Sequence, residues 1–251
     1  MIRAETANGI AILTLTHGKA NALDIELCEA LAERFIDLDS SDARAVVLTG
    51  QGKIFSAGVD LKRLSEGGAA YTRKFLPALH RLYDAVFFCR KPVVAAINGH
   101  AIAGGCVLTC CADRRIMVRD AGRIGVTEIL VGVPFPALAF EIMRHATPPY
   151  FFTETILTGE TFPAEVAAHR GWINEAVESP MLMERAMAAA NALAALSPAA
   201  FTQTKMQIRA PVSERLAHSG AETNKAVTDI WAAPSTLAYI RDYVARTLTK
   251  A

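Results

Sequence analysis

Two segments of this chain carry residue types suited to holding negative charge on oxygen. Lys53–Lys62 reads KIFSAGVDLK and Ile97–Asp113 reads INGHAIAGGCVLTCCAD. Each follows a short, apolar, strand-like run and passes through small residues toward a helix, so each can leave a backbone N–H pointing into a shared cleft. Two such donors would form an oxyanion hole, in which N–H groups fixed in advance meet charge as it develops. Taken singly, Gly58 or Gly104-Gly105 would also suit a tight turn or close helix packing. A third feature is Glu128, flanked by Val126, Ile129, Leu130 and Val131. An apolar neighbourhood disfavours the ionised carboxyl and raises its pKa toward the range useful for proton transfer at neutral pH. A solvated glutamate, or one paired with Arg123, fits the same residues.

Three stretches taken together, IAILTLTHGKANALDIEL (Ile10–Leu27), PVVAAINGHAIAGGC (Pro92–Cys106) and GVTEILVGVPF (Gly125–Phe135), resemble the crotonase superfamily, also called the enoyl-CoA hydratase/isomerase family, in order and spacing. The resemblance covers about residues 1–210. It implies an enzyme that binds an acyl-CoA thioester and stabilises the enolate formed at the thioester carbonyl, with no cofactor beyond the coenzyme A of the substrate. By position in the family motifs, the oxyanion donors are the N–H groups of Val59 and Gly104, and Glu128 is the catalytic acid/base. Gly104 and Gly105 precede a predicted buried helix, Cys106–Cys111, whose N-terminal dipole would add to the stabilisation. Bulk at Gly104 is expected to harm catalysis more than folding.

The chain departs from the family's hydratases at two points. Hydratases carry a second glutamate just after the glycine-rich turn, where this chain has Val107, a position the resemblance implies contacts the substrate. An aliphatic side chain cannot orient water, so a single-base isomerase, converting 3-enoyl-CoA to 2-enoyl-CoA, fits better. Hydratases also carry a PGxGGT stretch where this chain reads Pro134-Phe135-Pro136-Ala137-Leu138. Phe135 and its neighbours would exclude water and line an acyl pocket, or simply pack in the core. The segment Ala57, Asp60, Leu61 and Lys62 is implied to contact the ligand, and Lys19 to Ala22 to lie near the adenine and phosphates, with Lys19 or Lys62 available to neutralise phosphate charge. A divergent hydratase is the alternative activity, and a non-catalytic binding protein on the same fold is the alternative of another class.

The elements that must position these groups are legible as periodicities. Ile10–Thr16 alternates like a strand, while Arg44–Thr49, Pro92–Ile97 and Arg114–Val118 are continuous apolar runs like buried strands. Leu23, Leu27, Leu31, Phe35 and Leu38 mark one face of a helix, and Phe75, Leu79, Leu82 and Val86 another. Strands alternating with helices argue for a parallel-rich layered α/β core. After about Pro134 strand signals fade. Gly159, Pro163, Gly171, Pro180, Pro198, Pro211 and Pro234 divide the remainder into helical segments, the last carrying a stripe of Leu237, Ile240, Val244 and Leu248. The expected fold class is thus α/β, a crotonase-like spiral of ββα turns with a C-terminal helical layer. Residues 1–251 are read as one domain, about 1–195 forming the spiral core and about 196–251 helices that cover the site and build a homotrimer or hexamer.

Composition narrows the remaining classes. The 251 residues are 52% hydrophobic, with 26 basic against 25 acidic residues, which leaves no nucleic-acid footprint and no disorder signature. The five cysteines, Cys28, Cys89, Cys106, Cys110 and Cys111, form no paired CxxC, and the histidines His17, His80, His100, His145, His169 and His218 form no HExxH. No metal site and reduced core thiols are therefore expected. His100, inside the apolar stretch, reads as a satisfied buried histidine or one touching substrate. Pro92–Ala112 lacks Asp, Glu, Lys and Arg, but Asn98, Gly99, His100, Gly104 and Gly105 interrupt it, so it reads as strand, turn and helix rather than a membrane span. MIRAETANG lacks the apolar core of a signal peptide, and a cytoplasmic enzyme is expected.

Overall fold

The fold, taken from a computed structural model, is described for residues 1–247. The chain opens with a hairpin, β1 (Ile2–Ala7) antiparallel to β2 (Ile10–Leu15). Its two-residue turn, Asn8-Gly9, has positive φ at both positions (52° and 74°), the twist-matched geometry this dipeptide favours. After α1 (Ile25–Asp39), three turns of a spiral follow. Each has one strand in a main sheet, one short strand in a second sheet, and a helix. The turns are β3 (Ala45–Gly50), β4 (Ile54–Ser56) and α2 (Leu61–Phe87); β5 (Val93–Ile97), β6 (His100–Ile102) and α3 (Gly104–Cys110); and β7 (Arg114–Val118), β8 (Ile124–Gly125) and α4 (Glu128–Val131).

The main sheet runs β1-β2-β3-β5-β7-β10, where β10 is Glu175–Val177; the second runs β4-β6-β8-β9, where β9 is Thr161–Phe162, and helices α5 (Ala137–Ala146), α6 (Pro149–Thr158) and α7 (Ala164–His169) fall between α4 and β10. Pairing is parallel from β2 through to β10 and along β4-β6-β8. Alternate residues of the central strands face two separate cores, which explains their unbroken apolar runs. Val46, Leu48, Ala95, Ile97 and Met117 join the large core with α1, α2 and α3. Val47, Val94, Ala96, Ile116 and Val118 face the other way, against Leu182, Ala186 and Ala190 of α8 (Leu182–Ala194).

Several expectations change here. β9 and β10 lie beyond Pro134, so the strand pattern does not end there; both are too short to show a period. Pro211 does not divide a helix but sits inside α9 (Pro198–Trp231). A proline removes one N–H donor without obliging the chain to turn when that single bond is all that is lost. Helix α2 also contains a proline, Pro77, yet bends at Gly68 (φ 61°, ψ −154°). The last helix, α10 (Pro234–Thr247), buries Leu237 and Ile240, while Leu248 lies outside the described residues. All five cysteines are buried and unbridged, and no group of potential metal ligands occurs among the described residues. No described helix is long and apolar enough to cross a membrane; Pro92–Ala112 resolves into β5, β6 and α3.

Helix α9 is held to the spiral by a buried charge cluster. Asp113 accepts hydrogen bonds from Lys205 Nζ (2.7 Å), Arg209 Nη2 (2.7 Å) and the Val93 N–H (2.8 Å). Lys205 and Arg209 are only 5% and 3% exposed, and burial lowers the pKa of both. Asp113→Asn would leave two buried cations without their carboxylate. The expected loss of stability is about 3–5 kcal/mol, read as a lower urea midpoint with an unchanged m-value.

Candidate active site

The three residues singled out for chemistry all follow strands of the second sheet. Val59 lies three positions after β4, Gly104 two after β6 and Glu128 three after β8. Because β4, β6 and β8 are parallel neighbours in that order, their C-terminal ends stand side by side and deliver all three residues to one edge. Ligand sites of open parallel sheets lie at such carboxyl ends.

Local chemistry aims the two N–H groups. The Leu23 N–H donates to the Gly58 carbonyl (2.8 Å) and the Asp60 N–H donates to the Leu23 carbonyl (3.0 Å), a parallel bridge centred on Val59. In extended backbone successive peptide groups point to opposite sides, so the Val59 N–H faces away from Leu23. Asn21, itself at φ 47°, ties this loop down by donating to the carbonyls of Ile54 and Phe55 (3.1 Å each). On the second segment Ala103 holds φ 49°, ψ −124°, a strained conformation for a residue with a Cβ. It turns the chain so that the Gly104 N–H, at the start of α3, has no partner inside its helix. No described group accepts a hydrogen bond from either N–H. Gly58 (φ 81°) makes the approach possible: a Cβ there would sit 2.6 Å from the Ile102 carbonyl and 3.1 Å from the Gly104 nitrogen.

Gly104 has a further constraint. A Cβ on it would lie 2.8 Å from the Tyr83 hydroxyl and 3.1 Å from Leu23, and that buried hydroxyl donates to the Gly104 carbonyl (3.0 Å). Bulk at Gly104 therefore disturbs the core as well as the turn, and the expectation that it would chiefly harm catalysis is corrected.

Glu128 is the first residue of α4, a single helical turn closed by Gly132 in the left-handed conformation (φ 81°). The glutamate is 8% exposed, and among the described residues its Oε2 has no hydrogen-bond partner. Burial pushes its pKa up to about 8, against smaller downward pulls from the N–H groups of residues 127 and 128. Neither a solvated turn position nor a pair with Arg123 describes it; Arg123 bonds Thr161 instead.

A largely apolar cavity of about 390 Å³ is lined by Val59 and Glu128 and reaches Ala103, the residue before Gly104, though not Gly104 itself. Ala22, Ala57, Val59, Asp60, Leu61, Lys62 and Glu128 line it, as the sequence leads one to expect, beside Ala103. Asp60, the other carboxylate there, caps α2 by accepting from the Arg63 N–H (2.9 Å). Lys19 is exposed and is not part of the lining, although its neighbour Ala20 is. Val107, expected to touch substrate, is instead fully buried in the core and is not part of the lining, because α3 turns it inward. Phe135 lies in an adjoining cavity with Phe140 and Glu141, and Glu141 is held there by Arg144 and Arg215. His100 is exposed, at the rim of the second sheet, where its Nδ1 accepts from the Arg123 N–H (3.3 Å). It is neither buried nor in the cavity, because strand β6 begins with its side chain on the solvent side. Lining residues that were not anticipated include Trp231 from α9 and Tyr243 from α10, both far along the chain from the motifs. The sequence holds only two tryptophans, a hint at best.

The sequence pattern of the family described as enoyl-CoA hydratase/isomerase matches residues 5–235. The chain belongs to the enoyl-CoA hydratase/isomerase family. Among its relatives is a carnitinyl-CoA dehydratase of Salmonella typhimurium, 34% identical over 216 residues, which are 83% of this chain and 82% of the relative. An enoyl-CoA isomerase of Mycobacterium tuberculosis is 30% identical, with a TM-score of 0.79 over 93% of this chain and 98% of that one. The human mitochondrial Δ3-Δ2-enoyl-CoA isomerase shares the fold at a TM-score of 0.94, with 22% identity over 99% and 98% of the two chains. Relatives of this chain are thus named both as a dehydratase and as an isomerase.

Proposed function

We propose that this family member is a 3-enoyl-CoA to 2-enoyl-CoA isomerase in which Glu128 is the sole acid/base. The observation that carries this reading is a buried carboxyl of raised pKa, its Oε2 without a partner among the described residues, on the sheet edge that also carries the Val59 and Gly104 N–H groups, with buried Val107 standing where the resemblance places a hydratase's second glutamate. Ionised Glu128 removes a proton from C2 of the substrate, and the released electron pair moves into the thioester, leaving negative charge on its oxygen. The N–H groups of Val59 and Gly104 hold that oxygen, each worth about 2.7–4 kcal/mol in the transition state. When the charge returns from oxygen, the double bond forms between C2 and C3, and the former C3–C4 π pair takes the proton back from Glu128 at C4. The coenzyme A leaves the cavity at its exposed end, past Ala57 and Lys62, where Lys62 meets phosphate charge.

A divergent hydratase is the second reading, favoured by the dehydratase of 34% identity among the relatives. Incubating the protein with a 3-enoyl-CoA and, separately, a 2-enoyl-CoA distinguishes the two. Conjugated thioester from the first substrate is expected; a hydrated product from the second, with no conjugation of the first, would overturn the isomerase.

The pH profile tests the base. The reaction starts from the carboxylate, so kcat/KM is expected to rise about tenfold per unit below the pKa and to level off above about pH 8. A profile already flat from about pH 5 would mean that the group is not Glu128 in this environment.

A further inference from the structure

The candidate cavity stops at a wall, and beyond the wall lies a second apolar cavity of about 490 Å³. Val133 lines both. Trp231 lines the first, and Val227, one helical turn earlier on α9, lines the second. The indole is fixed in place: Trp231 is 2% exposed and its N–H donates to the Pro134 carbonyl (2.8 Å), on a residue that faces the second cavity. The partition is therefore the Val133-Pro134 backbone with Trp231 fastened to it.

The direction of a bound thioester follows from exposure. Coenzyme A is too large and too charged for the cavity and must leave by the end bounded by exposed Ala57 and Lys62. The acyl chain then points to the closed end, where Val131, Val133 and Trp231 are 5%, 3% and 2% exposed. Each further methylene runs into side chains packed at interior density, which yield only at the expense of strain.

We infer that Val133 and Trp231 set the acyl-chain length, restricting the protein to short-chain acyl-CoA thioesters, and that opening this wall joins the two cavities and admits long chains. The inference rests on the acyl-CoA reading above but not on the isomerase chemistry, so it is tested by binding alone. Calorimetric titration of the whole protein with two saturated, unreactive thioesters, hexanoyl-CoA and dodecanoyl-CoA, gives the comparison. The wild-type protein is expected to bind hexanoyl-CoA at least about tenfold more tightly than dodecanoyl-CoA. Val133→Ala and, independently, Trp231→Phe are expected to shift that ratio at least about tenfold toward dodecanoyl-CoA, consistent with the 10–200-fold discrimination a methylene carries in a closed apolar pocket. Equal wild-type affinities, or ratios unmoved in variants with cooperative unfolding, would overturn the wall. Failure to bind either thioester would overturn the acyl-CoA reading along with it, whereas discrimination in binding without turnover would leave the wall standing and reject only the isomerase.

Discussion

Glu128→Gln is expected to lower the rate of 3-enoyl-CoA isomerisation by about 10,000-fold, the upper end for general acid–base catalysis, because one group both takes and returns the proton. The variant is also expected to be more stable than the wild type, and the sign of that effect is set by linkage. The unfolded carboxyl ionises at the ordinary 4.5, while the folded one keeps its proton up to about 8. Between those values the folded chain binds more protons than the unfolded chain, so wild-type stability falls as pH rises through the window. Glutamine has no proton to lose. Its advantage is thus absent below 4.5 and complete above 8, bounded by an order of 5 kcal/mol at about 1.4 kcal/mol per pKa unit. Thermal unfolding at about pH 5 and about pH 8.5 reads the difference directly. A Gln variant that loses activity but gains nothing at high pH would mean that the carboxyl is not buried unpaired in solution. A stability gain of that kind would mark a group that costs the fold stability at neutral pH, as a catalytic acid/base rather than a structural carboxylate would.

Gly58→Ala is expected to lower kcat by about 100- to 1,000-fold, the effect of losing one oxyanion donor, with a smaller change in KM. The added Cβ would sit 2.6 Å from the Ile102 carbonyl and 3.1 Å from the Gly104 nitrogen, on a backbone at φ 81°. The relief available is to spread the two segments whose N–H groups must converge. Gly18→Ala is the matched control: φ is 58°, with nothing within 4 Å of the added methyl. It carries backbone strain without the clash, and activity is expected to stay within about threefold of wild type. Steady-state kinetics well below the melting temperature of each variant separate loss of the oxyanion hole from loss of fold. Equal effects at the two glycines would indicate that strain, rather than convergence of the donors, governs activity.

What the sequence made legible was local. Val59, Gly104 and Glu128 each sit in a short motif, β2 shows as an alternating run, and the strands β3, β5 and β7 show as continuous apolar runs because both of their faces are buried. The second sheet was illegible, since β4, β6, β8 and β9 are two or three residues long and no period can be read from so few positions. Yet its parallel order is what brings the three motifs together. The first strand, β1, went unread because it lies in a polar, largely exposed stretch that resembles a loop. Trp231 and Tyr243 reach the cavity only through the packing of α9 and α10, roughly a hundred residues beyond Glu128, so no spacing could assign them. Phe135 and His100 illustrate the converse. Both stand close in sequence to functional positions, and the chain direction carries them to a neighbouring cavity and to the rim.

The claim on which the rest depends is that one buried carboxyl carries hydrogen from C2 to C4 while two main-chain N–H groups hold the thioester oxygen. A 3-enoyl-CoA deuterated at C2, turned over in ordinary water and analysed by mass and NMR, tests it most directly. Deuterium appearing at C4 of the conjugated product, and lost together with turnover in Glu128→Gln, is the expected result. Conjugated product with hydrogen only from solvent at C4, formed at an undiminished rate by Glu128→Gln, would contradict it.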